Sequence, residues 1–486
     1  ADKDGNPAEY SPNNVPLKPK YHLTTSLKGF EENDFAMILG YPGRTNRWMP
    51  AGGIQQNVEY AYPAWVEASK TSMDVMKKYM DKDQQVKLDY ASSYASIANY
   101  WKNRQGMIDA LTQHKTAESK RNEEKAFQKW ASKKGNDRFE EVIPVINNYY
   151  KNTNKASAHD NYLGLLLRTR MATIPYRLGN AMDYYLQQNE AKQAEVKPQL
   201  EAEINDLYQG IYMPLEKDVL AAQLKLYSTK AENIAPMVAR IATANNKSEA
   251  GWNDYLNTAF ENSIFQSKEK VEAFMANPDA EVLKNDPLFQ LSTDLLKRYR
   301  YESEEEKQLN NDFERAYRLM VQGMREMNPD AKYYPDANST LRLTYGKVIA
   351  LPEDKRNDAV KNYYTTLKGT IAKYQPGDDE FDMPQKLIDL YENKDFGQYA
   401  DNDGYLPVNF LTDNDITGGN SGSPVLNGKG ELIGLAFDGN IEAMAGDVIF
   451  DDQLQRTINV DIRYVLFLID KFGCVSHIID ELTIVK

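Results

Sequence analysis

The sequence predicts an α+β protein in which a long all-α stretch is inserted into a β-rich fold. Three observations predict it. Only 7 of the 27 glycines lie between residues 65 and 330, and glycine is depleted where helices run long and enriched where turns and bulges punctuate strands. That stretch repeats a helical spacing of apolar residues, whereas the ends carry short apolar runs closed by Gly, Pro and Asn. The implied segments are 1–64, β-rich; 65–338, helical; and 339–486, β-rich with C-terminal helices.

The first segment opens as a Pro/Asn-rich loop from Ser11 to Pro16. It then offers a buried strand, Phe35 to Leu39, closed by Gly40-Tyr-Pro-Gly43. In the centre, Ile204, Leu207, Tyr208 and Ile211 step at i, i+3, i+4, i+7, and Leu309, Phe313, Tyr317 and Met320 step similarly. The charges from Glu302 to Lys307 fall between such positions, on solvated faces. Prolines 144, 175, 198, 214, 236, 278 and 287 divide the stretch into several helices, and no fixed period marks a solenoid. Leu341 to Tyr345 alternates as a half-buried strand, and helices are expected at about 356–374 and 383–393. Tyr405 to Phe410 follows, then a hairpin of Val425-Leu426 and Leu432 to Phe437 around an Asn427-Gly428 turn. The chain closes with a helix capped near Asn459, with Ile462, Val465, Leu466 and Ile469 on one face, and a short helix to about Leu482.

Composition excludes several functions. A chain of 486 residues holds about two to four domains. Its net charge of −13 leaves nucleic-acid binding to a local basic face, and no such stripe is present. The apolar run from Tyr464 to Ile469 is far short of the roughly 20 residues a bilayer requires, so no membrane span is expected. The single Cys474 makes neither an intramolecular disulfide nor a thiolate-pair zinc site, and reads as a small buried hydrophobe near a helix start. His22, His114, His159 and His477 show no His-x-x-x-His spacing, so neither a metal nor a cofactor is expected. The N-terminal residues carry no targeting pattern and leave the cellular address open.

Thr417-Gly-Gly-Asn-Ser-Gly-Ser-Pro-Val425 is the motif with chemistry in it. A serine hydroxyl is a poor nucleophile unless a tight loop holds it beside backbone N–H groups that bind the developing oxyanion, and glycines let the backbone take that shape. In isolation the cluster also suits a flexible surface loop, but the hairpin after it favours a nucleophile loop. Gly419 to Pro424 resembles the Gly-Asp-Ser-Gly-Gly-Pro loop of chymotrypsin-like peptidases. That resemblance makes Ser421 the nucleophile and the N–H groups of Gly419 and Ser421 the oxyanion hole, with Phe437-Asp438-Gly439 arriving as a pocket wall. A triad also needs a histidine and an acid. His22 follows Pro/Lys-rich loop sequence, His114 and His159 lie in the helical stretch, and His477 reads as a surface or capping residue. No base is visible.

Longer segments carry a closer resemblance. Phe35-Ala-Met-Ile-Leu-Gly-Tyr-Pro-Gly-Arg-Thr-Asn-Arg47, Ile97-Ala-Asn-Tyr-Trp-Lys-Asn103, the Ser421 loop with Phe437-Asp-Gly-Asn440, and Ile479-Asp-Glu-Leu-Thr-Ile-Val-Lys486 are similar to the bacterial dipeptidyl-peptidase 7 and 11 family. These are serine exopeptidases of the chymotrypsin clan with an inserted helical domain, and the resemblance runs over essentially the whole chain. It implies a chymotrypsin-like fold in which the second β-barrel (339–486) is complete and the first is partial or missing, 1–64 being its remnant. The triad histidine and aspartate are expected upstream of Ala1, which makes the chain a C-terminal fragment, inactive alone.

The resemblance also implies that the substrate's α-ammonium is held by Asn99 and Asp438. Without it, Asn99 reads as a helix-face polar residue and Asp438 as a turn aspartate. Gly439 implies an uncharged pocket and a hydrophobic residue before the scissile bond, since a buried carboxylate without a cationic partner is disfavoured. Peptide substrates, a homodimer, and a periplasmic or surface location in a Gram-negative bacterium follow from the family. The competing expectation is a non-catalytic protein that holds peptides in the helical domain and cleft.

Overall fold

The computed structural model describes residues 1–133, 135–353, 363–378 and 380–486. They form two compact units, Trp48–Lys332 and the combination of Ala1–Arg47 with Tyr333–Lys486. The helical unit starts well before residue 65 because its first helix, Ala51–Gln56, is built on a glycine pair. A Cβ on Gly52 or Gly53 would lie 2.6 Å from the Tyr150 ring or hydroxyl, so glycine here serves close packing of helices.

Local chemistry fixes the ends of the helices. Asp83 caps Gln84–Gln113 by accepting from the N–H groups of Gln85 and Val86. Ser303 and Glu306 form a reciprocal capping box at the start of Glu304–Met327. Ile204 and Tyr208 are buried in the main core with Leu220, Leu224, Tyr227 and Trp252, while Phe313, Tyr317 and Met320 join a second core around Phe127 and Phe139. Two of the prolines expected to separate helices lie inside them instead, Pro175 in Arg170–Leu186 and Pro198 in Glu190–Tyr208. Each lacks one helical N–H, and in the first helix the burial of Pro175 beside Leu178 and Met182 offsets that loss. Among the described residues no helix is long and apolar enough to cross a membrane.

His159, on the helix Val142–Leu166, is 4 % exposed. Burial, with Arg298 adding to it, pushes its imidazole down from 6.5 to about 4, against the smaller opposing effects of Glu232 and Glu306. The folded state therefore favours neutral His159. Its contribution is complete above pH 6.5 and is lost as pH falls toward 4, at a cost of about 3 kcal/mol from the shift alone. Urea unfolding from pH 7.5 to 4 should show wild type losing stability faster than His159→Gln by that amount. Parallel curves would refute it.

The other unit is built on β1 (Thr25–Ser26), β2 (Phe35–Gly40), β3 (Arg342–Lys347), β4 (Tyr364–Thr366), β5 (Pro407–Thr412), β6 (Pro424–Leu426), β7 (Leu432–Gly439), β8 (Thr457–Asp461) and β9 (Ile484–Val485). All nine belong to one sheet, in the order β3-β2-β6-β7-β8-β5-β4, with β1 joining β7 to β9. The sheet curls back on itself: Val348 bridges Thr412, with Ile349 N donating to Leu411 O at 3.2 Å and Asp413 N to Lys347 O at 3.2 Å. This contact joins the end of β3 to β5, while β4 and β9 stay at edges with one strand partner each. Ala36, Ile38, Phe410, Val425, Ile433 and Ala436 fill the interior, matching the alternation along β2, where Ala36, Ile38 and Gly40 point inward.

Several expectations shift. β2, assigned above to a remnant of a first barrel, pairs with β6 in the sheet that carries the serine loop, Ile38 opposite Val425. Asn459 caps no helix. It lies inward on β8 because its amide donates to Thr412 Oγ1 and Phe410 O on β5, and the cap is Asp461, accepting from Arg463 N. The 356–374 helix falls partly outside the described residues, and its remainder is β4 and a short helix, Leu367–Ile371. Cys474 is exposed, at φ +55° in a turn, with Lys386 Nζ 3.2 Å from its sulfur.

Candidate active site

Two turns laid against each other position the serine loop. Gly40-Tyr-Pro-Gly43 leaves β2 and receives the loop: Gly43 N donates to Gly418 O at 2.7 Å. The fit is close enough to forbid side chains. A Cβ on Gly40 would fall on Ser423 Oγ and the Asn420 amide, and one on Gly43 would lie 2.9 Å from Gly418 O. Gly419 sits at φ +105°, where a Cβ would clash with Tyr41 O, and Gly422 sits at φ +84°. The glycines on both sides thus meet steric demands that no L side chain satisfies.

Inside the loop, Asn420 is buried. Its side-chain oxygen accepts from Thr417 N at 3.3 Å, and its backbone carbonyl from Ser423 N at 2.9 Å. Gly422 N donates to Ala436 O on β7 at 2.7 Å, and Ala436 N donates back to Ser423 O at 3.0 Å. By contrast, the N–H groups of Gly419 and Ser421 have no acceptor among the described residues. Ser421 is exposed, and its hydroxyl donates to Phe437 O at 3.3 Å. That carbonyl is available because β7 is bulged: Ala436 pairs with Asn459 and Asp438 with Ile458, leaving Phe437 out of register.

The bulge also sets the residues after it. Asp438 is exposed, with Oδ1 accepting from Gly439 N at 2.8 Å. Gly439 packs under the turn Ile441–Ala445, where a Cβ would lie 2.8 Å from that of Ala443. Ser421, Asp438 and Gly439 therefore lie at the same end of the β6–β7 hairpin. Asn99 belongs to the helical unit, exposed on Gln84–Gln113.

Sequence reasoning missed a brace behind the loop. Arg47 forms a bidentate ion pair with Asp415 at 2.8 Å, donates to Gly446 O at 2.9 Å, and lies over the Phe450 ring. Thr417 Oγ1 donates to Asp447, whose carbonyl accepts from Asn46 N. Asn46 and Arg47 thus join the start of the serine loop to the segment beyond Gly439. The only available signal was that Arg47 ends a segment that carries the family resemblance. The histidines stand elsewhere: His22 bonds Thr483 Oγ1 at 2.8 Å, His114 and His477 are exposed, and His159 is in the helical core. Among the described residues none is a partner of Ser421.

Known proteins resemble this arrangement along its whole length. The peptidase S46 family model matches residues 1–484. A dipeptidyl-peptidase 7 from Capnocytophaga gingivalis is 54% identical over 100% of this chain and 68% of its own. An Asp/Glu-specific dipeptidyl-peptidase from Flavobacterium psychrophilum is 34% identical over 100% of this chain and 68% of its own. The crystal structure of Porphyromonas endodontalis DPP11 in complex with the dipeptide Arg-Asp superposes with a TM-score of 0.87 at 32% identity, covering 100% of this chain and 69% of that one. With a family match across nearly every residue and relatives of 54% and 34% identity aligned over the full chain, the chain belongs to the peptidase S46 family.

Proposed function

We propose that the chain carries the nucleophile and substrate anchors of a serine dipeptidyl-peptidase with a chymotrypsin-like site. The observation that carries this reading is the pair of acceptor-free N–H groups at Gly419 and Ser421 flanking an exposed hydroxyl on a loop of sterically obligatory glycines. In this reading Ser421 Oγ attacks the scissile carbonyl while the two N–H groups bind the oxyanion. The Asp438 carboxylate takes the substrate's α-ammonium, and the family resemblance assigns Asn99 the same ligand. Gly439 leaves a pocket wall without charge, so the residue before the scissile bond is hydrophobic rather than the Asp or Glu named for some relatives. Any side chain at 439, including a cationic one that could pair with an acidic substrate residue, would have to displace Ala443. The resemblance brings with it a homodimer and a periplasmic or surface location, checked by sedimentation and by cell fractionation.

The proton acceptor is the missing part. None of the four histidines bonds Ser421, so activity requires a histidine brought by further polypeptide. Leu343 and Tyr345 on β3 and Leu341 just before it, each more than half exposed, provide apolar surface for such a segment to cover. This chain alone should release no fluorophore from a dipeptidyl substrate ending in a hydrophobic residue. Supplying the histidine-bearing segment should restore release, and Ser421→Ala should abolish it again. Turnover by the chain alone would place the base within it. Restored turnover that survives Ser421→Ala would remove the serine from the mechanism.

Binding separates the anchors from the chemistry. In Ser421→Ala protein, a tripeptide with a free amino terminus should bind at least ten-fold more tightly than its N-acetyl form, and Asp438→Asn should erase the difference. Equal calorimetric affinities for both peptides in the parent would rule out Asp438 as the ammonium site.

A further inference from the structure

The helical unit contains a groove of about 920 Å³ that the peptidase reading does not use. One wall is the helix Val142–Leu166. Asn152, Ala156, Asp160 and Gly164 line the groove at four-residue steps, so they form a single stripe about 18 Å long. The opposite wall is the end of Pro287–Arg300 and the turn after it, with Arg298, Tyr299 and Tyr301. Trp65 and Tyr149 add aromatic surface.

Three features of this wall are unexplained by packing. Gly164 lies in a helix interior, where glycine is weaker than alanine, yet a Cβ there would have nothing within 4 Å. No protein neighbour requires a glycine at this position. Asp160 makes no hydrogen bond or ion pair among the described residues. Solvent reaches it, but surrounding protein raises its carboxyl above the ordinary range, with Arg298 opposing and Glu306 adding to the rise. His159, 4 % exposed on the groove lining, has Nδ1 without a partner. Facing them, Arg298 donates through Nε to Asn233 O at 2.7 Å, while its terminal nitrogens have no acceptor among the described residues.

An acid and a base left unsaturated across a long groove complement a ligand that offers both donors and acceptors along its length. We propose that this groove binds an extended polypeptide carrying a basic side chain, which pairs with Asp160 while a backbone carbonyl accepts from Arg298 and the chain passes over the bare backbone at Gly164. About 18 Å accommodates five to six extended residues. Nucleic acid is disfavoured because the lining is balanced rather than basic, Asp160, Glu232, Glu302 and Glu306 standing against Lys155, Arg168, Arg298 and Arg300. A neutral oligosaccharide would leave both ions unpaired. The inference rests on the peptidase reading only in that polypeptide is the natural ligand class.

The test is fluorescence anisotropy with a labelled N-acetyl nonapeptide of alanine and serine with a central lysine, using Ser421→Ala protein. Its blocked amino terminus cannot report the α-ammonium site, so groove and active site fail independently. Saturable binding is expected, weakened at least ten-fold when the lysine is replaced by glutamate, in Asp160→Asn, and in Gly164→Leu. An undiminished Tm shows that Gly164→Leu remains folded. Absence of saturable binding, equal affinity for the glutamate peptide, or full affinity in either variant overturns the proposal. So does cellohexaose binding that is lost in Gly164→Leu while the lysine peptide does not bind.

Discussion

Arg463→Ala is expected to destabilise the sheet unit by about 3–5 kcal/mol, the range for removing one partner of a buried ion pair. Asp461 is 1 % exposed, at the end of β8, and the Arg463 guanidinium reaches its two oxygens at 2.6 and 3.0 Å. The same carboxylate accepts from Arg463 N at 2.8 Å, so it also caps the helix Ile462–Phe467. The guanidinium lies 5.4 Å from the centre of the Phe30 ring, and the turn at Gly29 accommodates it: at φ +75°, a Cβ there would lie 2.7 Å from Nη1. Alanine at 463 removes the countercharge and leaves an anion with no water to solvate it. Asp461→Asn combined with Arg463→Leu removes both charges, keeps a capping oxygen and fills the space, so that pair should recover most of the loss. Urea denaturation of both proteins decides it. If Arg463→Ala unfolds within 1 kcal/mol of wild type, the pair contributes nothing to the fold.

What was legible in the sequence was what local physics dictates. The helical insertion showed through glycine depletion and the 3.6-residue spacing around Ile204 and Phe313, because helices satisfy their own backbone within a few residues. The serine loop showed because Gly419 and Gly422 adopt positive φ, a local demand that composition records. Sheet closure did not show. Ile38 meets Val425 across almost the whole chain, with the helical unit between them in sequence, and no local pattern encodes that pairing. Asn459 misled for a related reason: its amide suits a helix cap, but β5 offered it two acceptors and the inward side of a strand. The Arg47–Asp415 brace joins residues 368 positions apart and was equally silent. The four histidines carry no triad context in the sequence, and among the described residues none of them bonds Ser421, whose hydroxyl donates to Phe437 O.

Gly419→Ala is expected to lower turnover by about 10²–10³ in the catalytically competent enzyme, the cost of losing one oxyanion donor. Alanine resists φ +105°, and its methyl would meet Tyr41 O and Gly43 N. The clash is with backbone, so no rotamer relieves it. The loop must either rotate its peptide planes, turning the Gly419 and Ser421 N–H groups away from the reacting carbonyl, or push back the turn that Gly43 N anchors to Gly418 O. Either movement costs transition-state binding more than ground-state binding, because the substrate's carbonyl carries little charge before attack. Most of the loss should therefore appear in kcat, with KM changed by no more than a few-fold. Gly418→Ala is the matched control: no atom lies within 4 Å of its Cβ and its φ is not positive, so it should retain nearly full turnover. Equal rates for the two alanine variants would mean that the loop's shape does not govern the chemistry, and an effect confined to KM would turn the Gly419 amide from an oxyanion donor into a substrate contact.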